Sequence, residues 1–295
     1  MKYDLVVGLE THVELSTKTK IFCSCENDFG AEPNTHCCPV CVGHPGTLPK
    51  INRQVVNFAV KAGLATNCKI NLRSKMDRKN YVYPDLAKAY QISQFEIPIC
   101  KDGFVELSSG KKIRINRIHM EEDAGKLVHN GGDVYIDYNR GGVPLIEIVT
   151  EPDISSSDEA KEYVEKLQNI LRYAGVSDCK MQEGSMRCDV NISVKPEGSE
   201  KFGTRTEIKN MNSITFMTKA IDYEYERQID LIESGEEVIQ QTLRYCEATN
   251  STESMRSKED AQDYRYFRDP DLVEIVLTEE QVEKIKESLP EMPGD

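Results

Sequence analysis

The sequence predicts an α+β fold, an antiparallel sheet with helices on one face and polar chemistry on the other. Three observations lead there. Several segments alternate apolar and polar residues with period two, as strands of a half-buried sheet do. Capped, amphipathic stretches of helical period lie between them. Acids recur within the strand-like segments, where apolar residues are the norm. The densest stretch, Arg117–Lys126, sets Glu121, Glu122 and Asp123 side by side. Three adjacent acids repel one another unless water or cations neutralise them.

The first strand is expected over residues 3–15, with Val7, Leu9, Thr11, Val13 and Leu15 on one face and Gly8, Glu10, His12 and Glu14 on the other. Side chains two apart in a strand stand about 7 Å apart, so Glu10 and His12 can share a cation or a metal pair. Cys23 and Cys25 follow, then twelve residues, then Cys38 and Cys41. Two close thiol pairs across a loop suit tetrahedral Zn²⁺, and four thiolates leave no open position, so a structural site is expected within about residues 20–48. Cys37 could substitute, and His36 and His44 are weaker candidates. Five further cysteines are scattered.

Residues 52–65 read as a helix capped by Asn52. In residues 76–94, Arg78, Lys79 and Lys88 are interleaved with Tyr81, Tyr83 and Tyr90, a mixture that suits phosphates, bases or carboxylates. Lys112–Met120 alternates and feeds the acidic stretch, which is expected as a loop closing over the acid face. Residues 134–149 read as two strands around a turn at Asn139–Gly142. Glu147 lies in the otherwise aliphatic Leu145–Val149, where an unpaired carboxylate is costly and needs a cation or donors. A helix over 157–174 stops at Gly175. Strands are expected over 187–194, with Arg187, Asp189, Asn191 and Ser193 on one face, and over 204–210, with Arg205, Glu207 and Lys209 polar. A long helix follows over about 213–234. Thr278–Gln281 opens a last helix with a capping-box pattern, ended by Pro290.

The 295 residues suit one large domain or two modest ones, and with no repeat or low-complexity linker a single domain spanning 1–295 is expected. There is no 18-residue apolar run and no signal-type N-terminus, so the expectation is a cytoplasmic protein without membrane contact. The net charge of −13, from 37 basic and 50 acidic residues, argues against holding nucleic acid by bulk electrostatics. No P-loop pattern occurs, and no Ser/His/Asp or Cys/His nucleophile arrangement stands out. Acids on several strands of one face suggest a two-cation site for phosphoryl transfer. Lys79, Arg187, Arg205, Arg256, Lys258 and Arg265 would clamp a nucleotide. Spacing alone leaves three readings open: a kinase-like ligase, a metal-dependent phosphohydrolase, and a zinc-stabilised RNA-binding scaffold.

Val7–Glu14, Asp77–Asp85, Tyr90–Gln94, His119–Lys126, Pro144–Val149 and Asp263–Phe267 resemble the GatB family, the B subunits of tRNA-dependent amidotransferases. The resemblance spans nearly the whole chain. It implies a catalytic cradle like that of glutamine synthetase, with the cysteine loop inserted. It implies ATP and Mg²⁺ used to phosphorylate the side-chain carboxylate of Glu on tRNA(Gln) or Asp on tRNA(Asn). Ammonia from a glutaminase partner, the A subunit, would displace the phosphate, and a small C subunit would brace the assembly. Carried over by motif, Glu10, His12, Glu121, Glu122, Glu147, Asp189 and Glu207 would be metal ligands or their neighbours. Glu122, Glu147 and Lys79 would be catalytic, with Lys79 lining the ammonia or substrate path. Cys23, Cys25, Cys38 and Cys41 match the zinc-bearing branch. Ala87 stands where the family usually has Pro, and Arg268–Asp269 where Pro-Glu is common. The helix over about 278–290 would lead toward helical and tail domains that family members carry, and without the tail weak tRNA binding is expected.

Overall fold

A strand in which every second residue is aliphatic buries that half of its side chains, and β1 (Tyr3–Glu14) does so in the middle of the main sheet. Val7, Leu9, Thr11 and Val13 are at most 1% exposed, while Glu10, His12 and Glu14 lie half-buried on the opposite face. The computed structural model describes residues 2–257 and 263–291, without the side chains of 256 and 257.

The chain continues through α1 (Arg53–Ala65), β2 (Lys69–Ile70), β3 (Arg73–Ser74), β4 (Asp77–Asn80), β5 (Tyr90–Ser93), β6 (Cys100–Glu106) and β7 (Lys112–Glu122). A hairpin of β8 (Lys126–Asn130) and β9 (Asp133–Asp137) precedes β10 (Pro144–Thr150) and α2 (Ser157–Tyr173). Then come β11 (Met186–Pro196), β12 (Thr206–Met211), α3 (Ile214–Glu233), β13 (Gln241–Cys246), β14 (Ser251–Ser257), β15 (Phe267–Arg268), β16 (Ile275–Val276) and α4 (Glu279–Glu287).

Among the described residues the main sheet has nine strands in the order β14-β13-β12-β11-β1-β10-β7-β6-β2. Its pairs are antiparallel except β12 with β13. α1 lies over β6 and β7, α3 over β11 and β12, and α2 between them, so three helices cover one face. Their apolar stripes meet Val7, Leu9, Ile118, Ile146, Ile148, Val190 and Ile192 in one contiguous core. The opposite face is left for polar groups.

The helix caps follow the local signals. Asn52, Ser156, Ser213 and Thr278 each accept a hydrogen bond from a first-turn amide, and Thr278–Gln281 forms the capping box. Gly175, past the end of α2, has φ +66°, a left-handed conformation that glycine adopts at no steric cost.

Two expectations are corrected. The strands within 134–149 do not form a pair: β9 pairs with β8, whereas β10 enters the main sheet between β1 and β7. The alternation of Lys112–Met120 is also not continuous. Ile113 and Ile115 are buried in the first half of β7, Ile118 and Met120 in the second. A β-bulge changes the phase: Ile115 pairs with Thr150 and Arg117 with Val149, leaving Asn116 extra.

Candidate active site and metal centres

Register in an antiparallel sheet sets polar positions side by side across strands. His119 of β7 pairs with Glu147 of β10, Glu147 with His12 of β1, and His12 with Arg187 of β11. One step along, Arg117, Val149, Glu10 and Asp189 form the next row. Glu207 of β12 pairs with Asn191. The rows gather two sets of ligating groups. His12, Glu121 and Glu147 have side-chain atoms within 4.8 Å of one another, and so do Glu10, Asp189 and Glu207.

Protein cations neutralise both sets. His12 Nε2 stands 3.3 Å from Glu121 and 3.7 Å from Glu147, and His119 Nε2 stands 2.9 Å from Glu147. Burial alone would lower the His12 pKa, but the hydrogen bond and charge of Glu121, with the charge of Glu147, outweigh it and raise it to about 9. The same balance of burial against Glu147 and Glu121 raises His119. Glu121 is held well below the usual range, because the two histidines overcome the effect of its burial. In the second set, Lys209 Nζ lies 3.0 Å from Asp189 and 2.8 Å from Glu207. Among the described residues Glu10 has no such ammonium; burial and the Glu147 charge raise its pKa, opposed by a 2.9 Å hydrogen bond from Asn191.

A wall of rings borders the face. β4, β5 and β15 form a small sheet, and β5 lies against β7. Lys79 Nζ sits 4.6 Å from the Tyr264 ring centroid. Tyr264 meets Tyr266 edge-on at 6.1 Å, and Tyr266 stacks on Phe95 at 4.3 Å. Burial pushes the Tyr266 phenol up to about 12, with Tyr264 and Glu121 adding and Arg117 opposing.

Cys23, Cys25, Cys38 and Cys41 converge as the spacing predicts, with Sγ atoms within 4.8 Å of one another. Cys41 lies 3.3 Å from Cys23, 3.7 Å from Cys25 and 3.8 Å from Cys38. Four sulfurs around one tetrahedral Zn²⁺ would stand about 3.8 Å apart, so the donor set fits. Cys37 instead donates to the Asn34 carbonyl. Lys20, fully buried, points its ammonium at Cys41 Sγ (3.6 Å) and at the Tyr138 carbonyl (3.1 Å). The loop turns at Gly43, φ +63°, where a Cβ would press on Lys88.

Residues 5–283 match the family model of the GatB/GatE catalytic domain. The chain belongs to the GatB/GatE catalytic-domain family. Similar proteins include those named as the B subunit of aspartyl/glutamyl-tRNA(Asn/Gln) amidotransferase from Ruminiclostridium cellulolyticum (60% identical), Caldicellulosiruptor saccharolyticus (57%) and Thermoanaerobacter pseudethanolicus (59%). Each match covers 99% of this chain and 61–62% of the relative, so the chain spans about three-fifths of the length of these relatives.

The GatB-like segments come together in space. Residues 7–14, 119–126 and 144–149 contribute the adjacent strands β1, β7 and β10, and residues 77–85, 90–94 and 263–267 contribute β4, β5 and β15. Glu10, His12, Glu121, Glu147, Asp189 and Glu207 share the acid face. Glu122 does not. It is the last residue of β7, and consecutive strand residues point to opposite faces. Its carboxylate takes Lys88 Nζ at 2.6 Å and the Ile92 amide at 2.9 Å, so here it stands next to Glu121 in sequence but outside both ligand sets. Glu121 and Glu122 also belong to the sheet itself, not to a closing loop. Arg187 lies at the end of the face, its guanidinium 3.0 Å from Asp123 and 3.7 Å from Glu14. Arg205 and Arg265 are exposed. The Arg256 side chain and Lys258 lie outside the described residues.

Sequence reasoning passed over His119 and Lys209 as site residues, and it grouped Lys88 with ligand-binding cations without its partner Glu122. For His119 the signal was present, two residues before Glu121 in a strand. For Lys209 it was half present: Glu207 stands two residues away on the same strand, while Asp189 lies on β11.

Among the described residues no helix is long and apolar enough to cross a membrane.

Proposed function

We propose that this chain forms the carboxylate-activating cradle of a tRNA-dependent amidotransferase. It would phosphorylate the side-chain carboxylate of Glu-tRNA(Gln), Asp-tRNA(Asn) or both with ATP, and ammonia would then replace the phosphate to give the amide. The observation that carries this reading is the pair of ligand sets, His12/Glu121/Glu147 and Glu10/Asp189/Glu207, on one sheet face. Carboxylate-rich donor sets suit Mg²⁺, which when bound would neutralise phosphate charge. The buried, unpartnered His119 Nδ1 adds a polar atom that the protein does not satisfy.

The chain's own residues do the positioning. The aminoacyl carboxylate is the nucleophile, so no strong base is required, and alignment and charge balance set the rate. His12 and His119 hold Glu121 and Glu147 in place, and Lys209 holds Asp189 against Glu207. Lys79, on the Tyr264 ring, lines the approach to this face for ammonia or substrate. Arg187 and Arg205 supply cations for the nucleotide. The resemblance extends the proposal to a glutamine-synthetase-like cradle, a glutaminase as the A subunit, a small C subunit, a structural Zn²⁺ on the four cysteines and a cytoplasmic setting.

The test is a complete assembly supplied with Glu-tRNA(Gln), Asp-tRNA(Asn), ATP and glutamine. Acyl-phosphate formation, amidation and glutamine hydrolysis are measured separately. Amidation that needs this chain and ATP supports the reading, and ATP turnover without amidated tRNA refutes it.

A further inference from the structure

We infer that Arg117 is an oxyanion-binding residue of the acid face, receiving a carboxylate or phosphoryl oxygen of the reactants. This rests on the reading of that face as an active site, and two independent observations carry it. The first is how the side chain reaches the face. Upstream of the β7 bulge, odd-numbered Ile113 and Ile115 point into the core. Unbroken alternation would send Arg117, His119 and Glu121 there as well. The extra residue Asn116 reverses the phase and turns all three onto the acid face, the kind of re-aiming for which bulges occur beside functional sites.

The second observation concerns charge. Among the described residues the other basic groups of this face in β7, β10, β1, β11 and β12 are matched with acids. His12 and His119 meet Glu121 and Glu147, Arg187 meets Asp123 and Glu14, Lys209 meets Asp189 and Glu207, and Lys195 lies 4.0 Å from Asp4. Lys112 and Arg114, before the bulge, pair with Glu106 and Asp153. Among the described residues Arg117 has no carboxylate partner. Its one hydrogen bond is a long donation of 3.4 Å to the Phe95 carbonyl. Phe95 stacks on Tyr266, so the guanidinium lies at the foot of the ring wall, and Arg117 stands two residues before His119 in β7.

An anionic substrate entering a face that carries the carboxylates of both ligand sets is repelled. A guanidinium with no carboxylate partner among the described residues offers two parallel donors matched to the edge of a carboxylate or phosphate. Half-burial limits competition from water.

The experiment uses Arg117→Met and Arg117→Lys in the assembled enzyme. Arg117→Met is expected to lower kcat/KM for amidation on the order of 30-fold at an unchanged thermal midpoint, with Lys restoring part of the loss. A nucleotide phosphate at Arg117 would raise KM for Mg·ATP, whereas the aminoacyl carboxylate would raise KM for charged tRNA and leave that for ATP alone. Inorganic phosphate, followed by phosphorus NMR, and free glutamate, followed by calorimetry, report anion binding without turnover. Loss of either in Arg117→Met supports the assignment even if the assembly fails to amidate, a result that would count against the functional reading alone. Wild-type KM values and anion binding in Arg117→Met overturn it.

Discussion

Glu121 and Glu122 follow one another in the chain and hold different parts of the molecule together. Glu121 meets His12 at 3.3 Å on the acid face, while Glu122 grips Lys88 at 2.6 Å on the opposite side of β7. Loss of either carboxylate therefore has a different consequence.

Glu147→Gln should lower acyl-phosphate formation on the order of 100-fold, about 2.7 kcal/mol of transition-state stabilisation, with the fold intact. Glu122→Gln should act mainly on stability, because half-buried Lys88 is left without its counter-charge; a loss of about 1–3 kcal/mol is expected. Denaturant midpoints set beside single-turnover rates separate the two. Equal kinetic defects at equal stability would remove the distinction.

Stability in the absence of divalent cations should fall as pH rises from about 6.5 to about 9. In that window folded His12, with its pKa raised to about 9, keeps a proton that the unfolded chain, titrating at 6.5, has released. The loss should be on the order of 2 kcal/mol, and His12→Gln should flatten the curve in that range. Urea unfolding at several pH values with a chelator present checks this. A wild-type curve that rises over the window contradicts the assignment.

Lys209→Met should leave Asp189 and Glu207, beside Glu10, without their internal ammonium. With chelator present, a stability loss of about 1–3 kcal/mol is expected. Millimolar Mg²⁺ should restore much of it, since a divalent cation relieves the same repulsion. Thermal melts with and without Mg²⁺ decide; a variant indifferent to Mg²⁺ would show that this set holds no cation.

Metal analysis should return about one zinc per chain, and Cys38→Ser should release it. Hydrogen exchange should then quicken across 20–48 and also at 138–142, because Lys20 ties Cys41 to the Tyr138 carbonyl and the Ile21 amide donates to the Gly142 carbonyl. A metal-free native protein with the clustered thiols titratable would sink the zinc assignment.

Alternation, capping and cysteine spacing are local signals, and the elements they govern were legible in the chain. The period-two pattern of residues 3–15 defines which side of β1 is buried. Asn52, Ser156 and Thr278 mark helix starts, and Gly175 and Gly235 follow helix ends. The two cysteine pairs announce a four-sulfur cluster. A bulge is only half a local signal: the apolar phase shifts between Ile113/Ile115 and Ile118/Met120 in the chain itself, but that Asn116 is the extra residue exists only relative to Val149 and Thr150 on the neighbouring strand. That one residue brings Glu121 onto the acid face and sends Glu122 to Lys88. The neutralising partners have the same origin. Lys209 reaches Asp189 from 20 residues away, and His12 reaches Glu121 from 109 away, through strand pairing alone. Periodicity depends on a residue's own neighbours in sequence and can be read there. Which charges meet depends on the register between strands, and that exists once the sheet has formed.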